Sequence, residues 1–483
     1  MLTKNQAADI FSRIRKYATA DEVECLFYGG HSALTRFANN TIHQNVAEEN
    51  YGVSVRTVFG GRTARATTNK FDDESLKNVV SASESLAKVQ EPDLDLLPLP
   101  DPKEVGQNFN TSRGDGTNAG EGAVALPADA AQTLPSRHFE ESARLTPAQR
   151  AESVGKIVSI AQKQNLTAAG IFSSGESIEG IFNSRGLSAW HTQTSAEISI
   201  TMLAADSSGW QKANSPNAAN LNAEALAQIA AEKAAKSAGP REIAPGKYTV
   251  ILEPAAVLDT VGFGFFDFGG LAILDQRSFL NNRIGTKLFG ENISIWDDVS
   301  HPLQSGSPFD GEGFRRKRVH LVEGGIVKRL VYARATAEKM KKSEYASKVG
   351  LLEPTGHGFP IPNEIGEAPM NIVFEPSRDP KTVEQMIAGT ERGILVTRLW
   401  YIREVDPYEK ILTGMTRDGT YLIENGKVVC GLRNFRFNQS LIDMLSNVEE
   451  MSAPVRTSGE ESFDMVVPAM KVRNFNFTEV TKF

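Results

Sequence analysis

The side chains able to do chemistry in this chain of 483 residues are scattered. Seven histidines occur, His31, His43, His138, His191, His301, His320 and His357, and no two lie within five residues of each other. Two imidazoles on one helical turn with a nearby carboxylate would hold zinc and activate its water, and that sequence-local pattern is missing. A metal site here would have to be assembled from distant segments. The cysteines, Cys25 and Cys430, are too far apart to form a CxxC pair and too few for a disulfide framework, which fits a reducing compartment. No GxSxG elbow activates a serine, Gly306-Ser307-Pro308 does not supply one, and no Walker-type phosphate loop appears.

Carboxylates are the remaining acid–base candidates. Asp259 lies in LDTVGF (258–263), between the strand-like run YTVILE and the stretch FGFFDFGG, a setting that suits a short helix facing a site. Asp267, Asp275, Asp297 and Asp298 follow it, and near a helix end such residues more often cap or stay solvated than catalyse. Two segments point to peptide recognition. In TGHGFPIPN, His357 stands between glycines that let a backbone approach, against the plainer reading of a surface turn before two prolines. In GILVTRLWYI an alternating strand carries Arg398, Trp400 and Tyr401, types that form pockets beside an added strand, although they also build core and rim.

Composition narrows the classes. There are 52 Lys and Arg against 59 Asp and Glu, a formal net charge of -7, and no basic stripe, so direct nucleic-acid binding is not expected. The N-terminus is amphipathic and lacks a signal peptide's unbroken apolar core, and the most apolar run, residues 261–274, is too short for a bilayer of about 20 helical residues. A cytoplasmic protein with no membrane contact is expected.

The chain is long enough for two domains. Residues 3–18 read as a helix capped by Thr3 with Ile10, Phe11, Ile14 and Tyr17 on one face, and 73–89 as a second amphipathic helix. Between them Gly60-Gly61 turns a hairpin. Residues 91–145 lack an apolar period and read as a long mobile loop or insertion, containing Arg113-Gly114-Asp115, a tripeptide that recurs by chance. Helices are expected from Pro147 and over 222–238, with Ile198, Ile200 and Met202 on one side of a strand. Two breaker pairs put the domain boundary near 243, giving domains of 1–243 and 244–483. The second half carries turn signals at Gly324-Gly325, Asp418-Gly419 and Asn425-Gly426, and LRNFRFN (432–438) and VRNFNFT (472–478) read as strands. The fold class expected is α+β, a curved antiparallel N-terminal sheet with helices followed by a β-rich barrel or sandwich.

Three long stretches, TRFANNTIHQNVAEENYGVSVRTVFGGRTARATTN, FNSRGLSAWH and GILVTRLWYIREVDPYEKILTGMTRDGTYLIENGKV, resemble the TldD/PmbA family, also called modulator of DNA gyrase proteins. The resemblance implies cytoplasmic proteolysis by a pair of subunits, TldD-type and PmbA-type (TldE), enclosing a cavity. Only the TldD-type subunit has HExxxH and binds zinc. At about 100° per residue, histidines five apart diverge by roughly 140°, so that motif needs a widened or broken helix, and a glycine before the second histidine would permit it. Laid on the motif, Leu258 and Phe263 stand at the histidine positions, Asp259 at the glutamate and Gly262 at the glycine; Ser458 of TSGE stands where a TldD-type subunit has its cysteine ligand. Hydrocarbon side chains have no lone pair to give a metal. The resemblance therefore implies a PmbA/TldE-like member with no cofactor of its own, paired with a zinc-bearing TldD-type subunit or with itself, and acting on peptides or unfolded protein. The other readings are a non-catalytic binding or regulatory protein and a hydrolase with an unrecognised site.

Overall fold

A computed structural model describes residues 1–105, 109–110, 134–350 and 352–481. The first helix, Lys4–Tyr17, opens at Thr3, whose hydroxyl accepts the Gln6 N–H while the Gln6 side chain accepts from the Thr3 backbone. It buries Ile10 and Ile14 and lays Phe11 and Tyr17 on the same cluster. Strands Glu22–Ala38, Thr41–Phe59 and Arg62–Thr68 run antiparallel to one another, the last two joined through Gly60-Gly61, and Thr167–Asn183, Ser188–Leu203 and Ser208–Ser215 extend the sheet. These strands are longer than the apolar alternation implies. Ser173–Glu176 has no hydrophobic pattern, yet it pairs with His31–Leu34 because ladder hydrogen bonds come from backbone groups whatever the side chain.

Helices Pro147–Lys163 and Ala223–Ser237 cover one face of this sheet, where Ile198, Ile200 and Met202 are fully buried. Gly209 allows the close approach, since a Cβ there would stand 2.2 Å from the Ala230 carbonyl oxygen. Within 91–145, where a long mobile loop or insertion was expected, residues 91–95 are exposed but several described residues beyond them are packed. Leu99 and Val105 are buried, Asn183 donates to the Pro100 carbonyl, Arg137 donates to the Val299 and His301 carbonyls, and Glu140–Ala143 is helical. The Arg113-Gly114-Asp115 tripeptide lies outside the described residues.

Residue 243 falls between helix Ala223–Ser237 and strand Gly246–Leu252. That strand pairs with Arg392–Asp406 and Met470–Val480; Phe435–Ser440 and Ile411–Glu424 continue the order, and Ile411–Glu424 pairs back onto Arg392–Asp406, closing a five-stranded barrel. The two similar segments at 432–438 and 472–478 become barrel neighbours, with Phe435 and Phe477 ring centroids 4.8 Å apart. A second sheet is built from short strands between Ile295 and Val467, including the Gly324-Gly325 hairpin. Asn425-Gly426 also turns a hairpin. Asp418-Gly419 does not: it sits inside strand Ile411–Glu424, with φ of 53° and 136°, where the partner register slips between Val396 and Arg398. Residues that favour positive φ mark a bulge there and not a reversal. No helix among the described residues is long and apolar enough to cross a membrane.

Candidate functional site

The stretch LDTVGF folds as its flanks suggest. Pro254 occupies the first turn of helix Pro254–Val261, the Glu253 N–H donates to the Val396 carbonyl, and the Glu253 carboxylate meets Lys233 at 2.6 Å, so the helix is tied at its start to the barrel and to the N-terminal half. Leu258 and Asp259 are fully buried and Phe263 is half-buried against the main core. The helix breaks at Gly262 into a tighter 3-10 segment, Gly262–Phe268. Gly262 has φ of -56°, so backbone freedom is not why a glycine fits; a Cβ would stand 1.9 Å from the Ser462 hydroxyl.

The fold brings this helix against the TSGE loop. One Asp259 oxygen accepts the backbone N–H groups of Glu460 and Glu461, both at 3.1 Å, while the other is buried with no hydrogen-bond partner among the described residues. Gly459 passes so close that a Cβ would lie 2.2 Å from the Asp259 carboxylate. Ser458 is buried and donates to Glu197 at 3.3 Å, and Lys212 reaches the Gly459 carbonyl at 3.0 Å and Glu197 at 3.3 Å. Glu197 and Lys212 belong to the N-terminal sheet, and nothing in their local sequence marks them, because their partners are some 250 residues away. Burial pushes the Asp259 carboxyl up to about 7; the two backbone N–H groups and the charge of Arg398 pull it down less, and Glu461 adds to the rise.

Three of the peptide-recognition candidates sit beside this clasp. Arg398 is buried, not at a cavity rim: its guanidinium grips the Asp418 carboxylate, with Nε at 2.8 Å, and lies between the rings of Trp210 (4.7 Å) and Trp400 (5.3 Å). Tyr401 is exposed, has φ of 53°, and donates its N–H to Glu461 at 2.7 Å. The strand does not alternate over 393–399, where every residue is buried, because it is enclosed on both faces. His357 stands apart. It is 1% exposed, so the surface-turn reading is wrong, and its ring lies between Thr355 and Asp297, each at 3.0 Å.

Zinc does not fit the residues at this locus. It needs three or four lone-pair donors at fixed distance, and here two positions are hydrocarbon, one is a hydroxyl engaged by Glu197, and one carboxylate holds two backbone amides. Among the described residues no group of three or more His, Cys, Asp or Glu could hold a metal ion. What the arrangement does is clasp: Asp259 and Lys212 fasten one loop from both halves of the chain.

The Asp259 clasp carries a pH signature. Its folded pKa lies above its unfolded value, so the folded state binds more protons; the stability this gives is complete below about 4 and is lost as pH rises through about 7. Asp259→Asn removes the titration and keeps an acceptor for the two N–H groups. Melting temperatures measured from pH 4 to 8 are expected to show the variant gaining on the wild type with rising pH, by up to about 1.4 kcal/mol per pH unit. Parallel curves would contradict this.

Residues 23–87, 138–238 and 245–479 match, respectively, domain 1, the central domain and the C-terminal domain of the PmbA/TldA metallopeptidases. An uncharacterized protein of Methanocaldococcus jannaschii is 23% identical over 337 residues, covering 68% of this chain and 71% of that protein. Metalloprotease PmbA of Escherichia coli O157:H7 is 21% identical over 318 residues, 63% of this chain and 64% of that one. TldE from Thermococcus kodakarensis shares the fold at a TM-score of 0.79 and 18% identity over 98% of this chain and 99% of that one. A protein of Thermotoga maritima described as a putative modulator of a DNA gyrase has the same TM-score and identity, over 98% and 100% of the two chains. With all three of its domains matched in order, this chain belongs to the PmbA/TldD metallopeptidase family.

Proposed function

We propose that this chain is the PmbA/TldE-like, metal-free subunit of a two-subunit cytoplasmic metalloprotease that acts on unfolded proteins or peptide precursors. A TldD-type partner with intact HExxxH supplies zinc and activates the water, and this chain completes the cavity; alone it pairs with itself. The observation that carries the reading is the helix of LDTVGF docked on the TSGE loop, with Leu258 and Phe263 where imidazoles would be needed and the Asp259 carboxylate holding the backbone of Glu460 and Glu461. The likeness to TldE supports it at the level of fold.

Within that cavity, Trp400 and Tyr401 are the peptide-contacting groups. Arg398, sandwiched and paired, fixes Trp400 from behind, and the Glu461 carboxylate fixes the Tyr401 backbone. His357, fully enclosed, contributes through packing.

Peptide cleavage measured with the chain alone, with a TldD-type subunit alone, and with both tests the reading. Chelator-sensitive cleavage is expected only when both are present. Cleavage by this chain alone would overturn it, and a TldD-type subunit indifferent to this chain would favour a non-catalytic binding protein.

A further inference from the structure

A second group of reactive side chains lies at the far end of the same barrel hairpin. Lys410 follows the turn after strand Arg392–Asp406, in a left-handed conformation with φ of 49°, and its carbonyl accepts the Leu441 N–H at 2.9 Å. The side chain runs inward and is 5% exposed. Its ammonium nitrogen stands 2.6 Å from Oδ2 of Asp267 and 2.6 Å from Oε2 of Glu404, and 5.5 Å from the centre of the Phe279 ring. The Asp267 side chain is 8% exposed, and its Oδ1 accepts the Phe279 N–H at 3.0 Å. Phe268 and Phe279, which flank it, belong to the main core.

Lys410 and Asp267 meet there with little water, and Glu404 reaches the same nitrogen from the solvent side, its side chain 31% exposed. A buried carboxyl is more easily the neutral acid, the form an amine can attack, than an exposed one. Burial raises the Asp267 carboxyl above its ordinary range, against the opposing pull of Lys410 and the Phe279 N–H. An amine held against a carboxylic acid has an effective concentration of about 10⁵ to 10⁸ M when the geometry is fixed. A carboxylate placed on the same nitrogen is the remaining requirement, because the attacking amine must lose a proton and the departing oxygen must gain one.

We propose that Lys410 and Asp267 condense to an intramolecular isopeptide bond, with Glu404 carrying the proton. The Nζ lone pair attacks Cγ of Asp267, forming the N–C bond; Glu404 takes a proton from Nζ and returns it to Oδ2; the C–Oδ2 bond breaks and one water leaves. Oδ1 becomes the amide oxygen and keeps the Phe279 N–H. No group is oxidised or reduced, and Glu404 is regenerated. The product ties the barrel hairpin to the 3-10 segment that follows the LDTVGF helix, residues 143 apart in sequence, and replaces buried charges by an amide.

Intact mass spectrometry of the purified full chain tests this. The wild type is expected to weigh about 18 Da less than its sequence, the water released, and a protease digest is expected to yield one branched peptide joining the Asp267 and Lys410 segments. Lys410→Arg and Glu404→Gln are expected at full sequence mass. A wild type at full mass overturns the proposal, and so does a mass loss that persists in Lys410→Arg or a digest without the branched peptide. The wild-type mass and digest decide the matter even where a variant does not fold.

Discussion

Replacing Asp418 by alanine is expected to lower the stability of the chain by about 3–5 kcal/mol, the cost of leaving a buried charge without its partner. Asp418 and Arg398 are each almost fully buried, and the guanidinium has the Asp418 carboxylate as its acid partner. The same carboxylate accepts the Ser208 hydroxyl at 2.6 Å, so its loss also removes one of the ties between the N-terminal sheet and the barrel. Trp210 and Trp400 stack on Arg398, and Arg417 stacks on Trp400 at 4.7 Å. An uncompensated Arg398 would draw water into that stack. Part of the cost is conformational, because Asp418 has positive φ and alanine tolerates it poorly. Asp418→Asn separates the two effects: asparagine accepts the left-handed conformation and keeps an acceptor, so what it loses is the charge. In urea unfolding, Asp418→Ala should fall well below the wild type with Asp418→Asn between them. The pair Asp418→Ala with Arg398→Met should be less damaging than the sum of the single changes, since no orphaned charge remains. Additive losses would mean that the contact is a bystander.

This bulge also shows where sequence reading stops. Asp-Gly was legible as a place where the backbone takes positive φ, but a hairpin and a bulge share that requirement, and only the barrel's closure chooses between them. Helices were legible at their ends, as at Thr3 and Pro147, because capping is a matter of three or four adjacent residues. The long N-terminal strands were legible only where one face is apolar, as at Ile198, Ile200 and Met202, and not through Ser173–Glu176. At the site, the positions of Leu258, Asp259, Phe263 and Ser458 rest on the resemblance, and the hydrogen bonds from the Glu460 and Glu461 backbone to Asp259 were not legible in the sequence. Glu197, Lys212 and Glu461 were not found, since a residue that acts through a contact hundreds of positions away leaves no local pattern. His357 misled for another reason: the two prolines after it suggested a surface turn, but the imidazole is buried, and Gly356 admits the close approach of the chain's own Arg315 backbone.

The second large expected effect concerns metal. Zinc sites in proteins are four-coordinate or keep three protein ligands with one open position. Of Leu258, Asp259, Phe263 and Ser458, Asp259 offers one buried oxygen that accepts no hydrogen bond from the described residues, and the hydroxyl of Ser458 is already donating to Glu197. Hydrocarbon at Leu258 and Phe263 cannot be offset by geometry, so no loop movement completes a coordination shell from these residues. The most direct measurement is therefore the zinc content of the purified full-length chain, alone and then mixed with a TldD-type subunit, after dialysis against zinc-containing buffer. Fewer than about 0.1 zinc per chain alone, rising to about one per pair in the mixture, is the predicted result. One zinc per chain in the protein alone, lost on Asp259→Ala, would contradict the account.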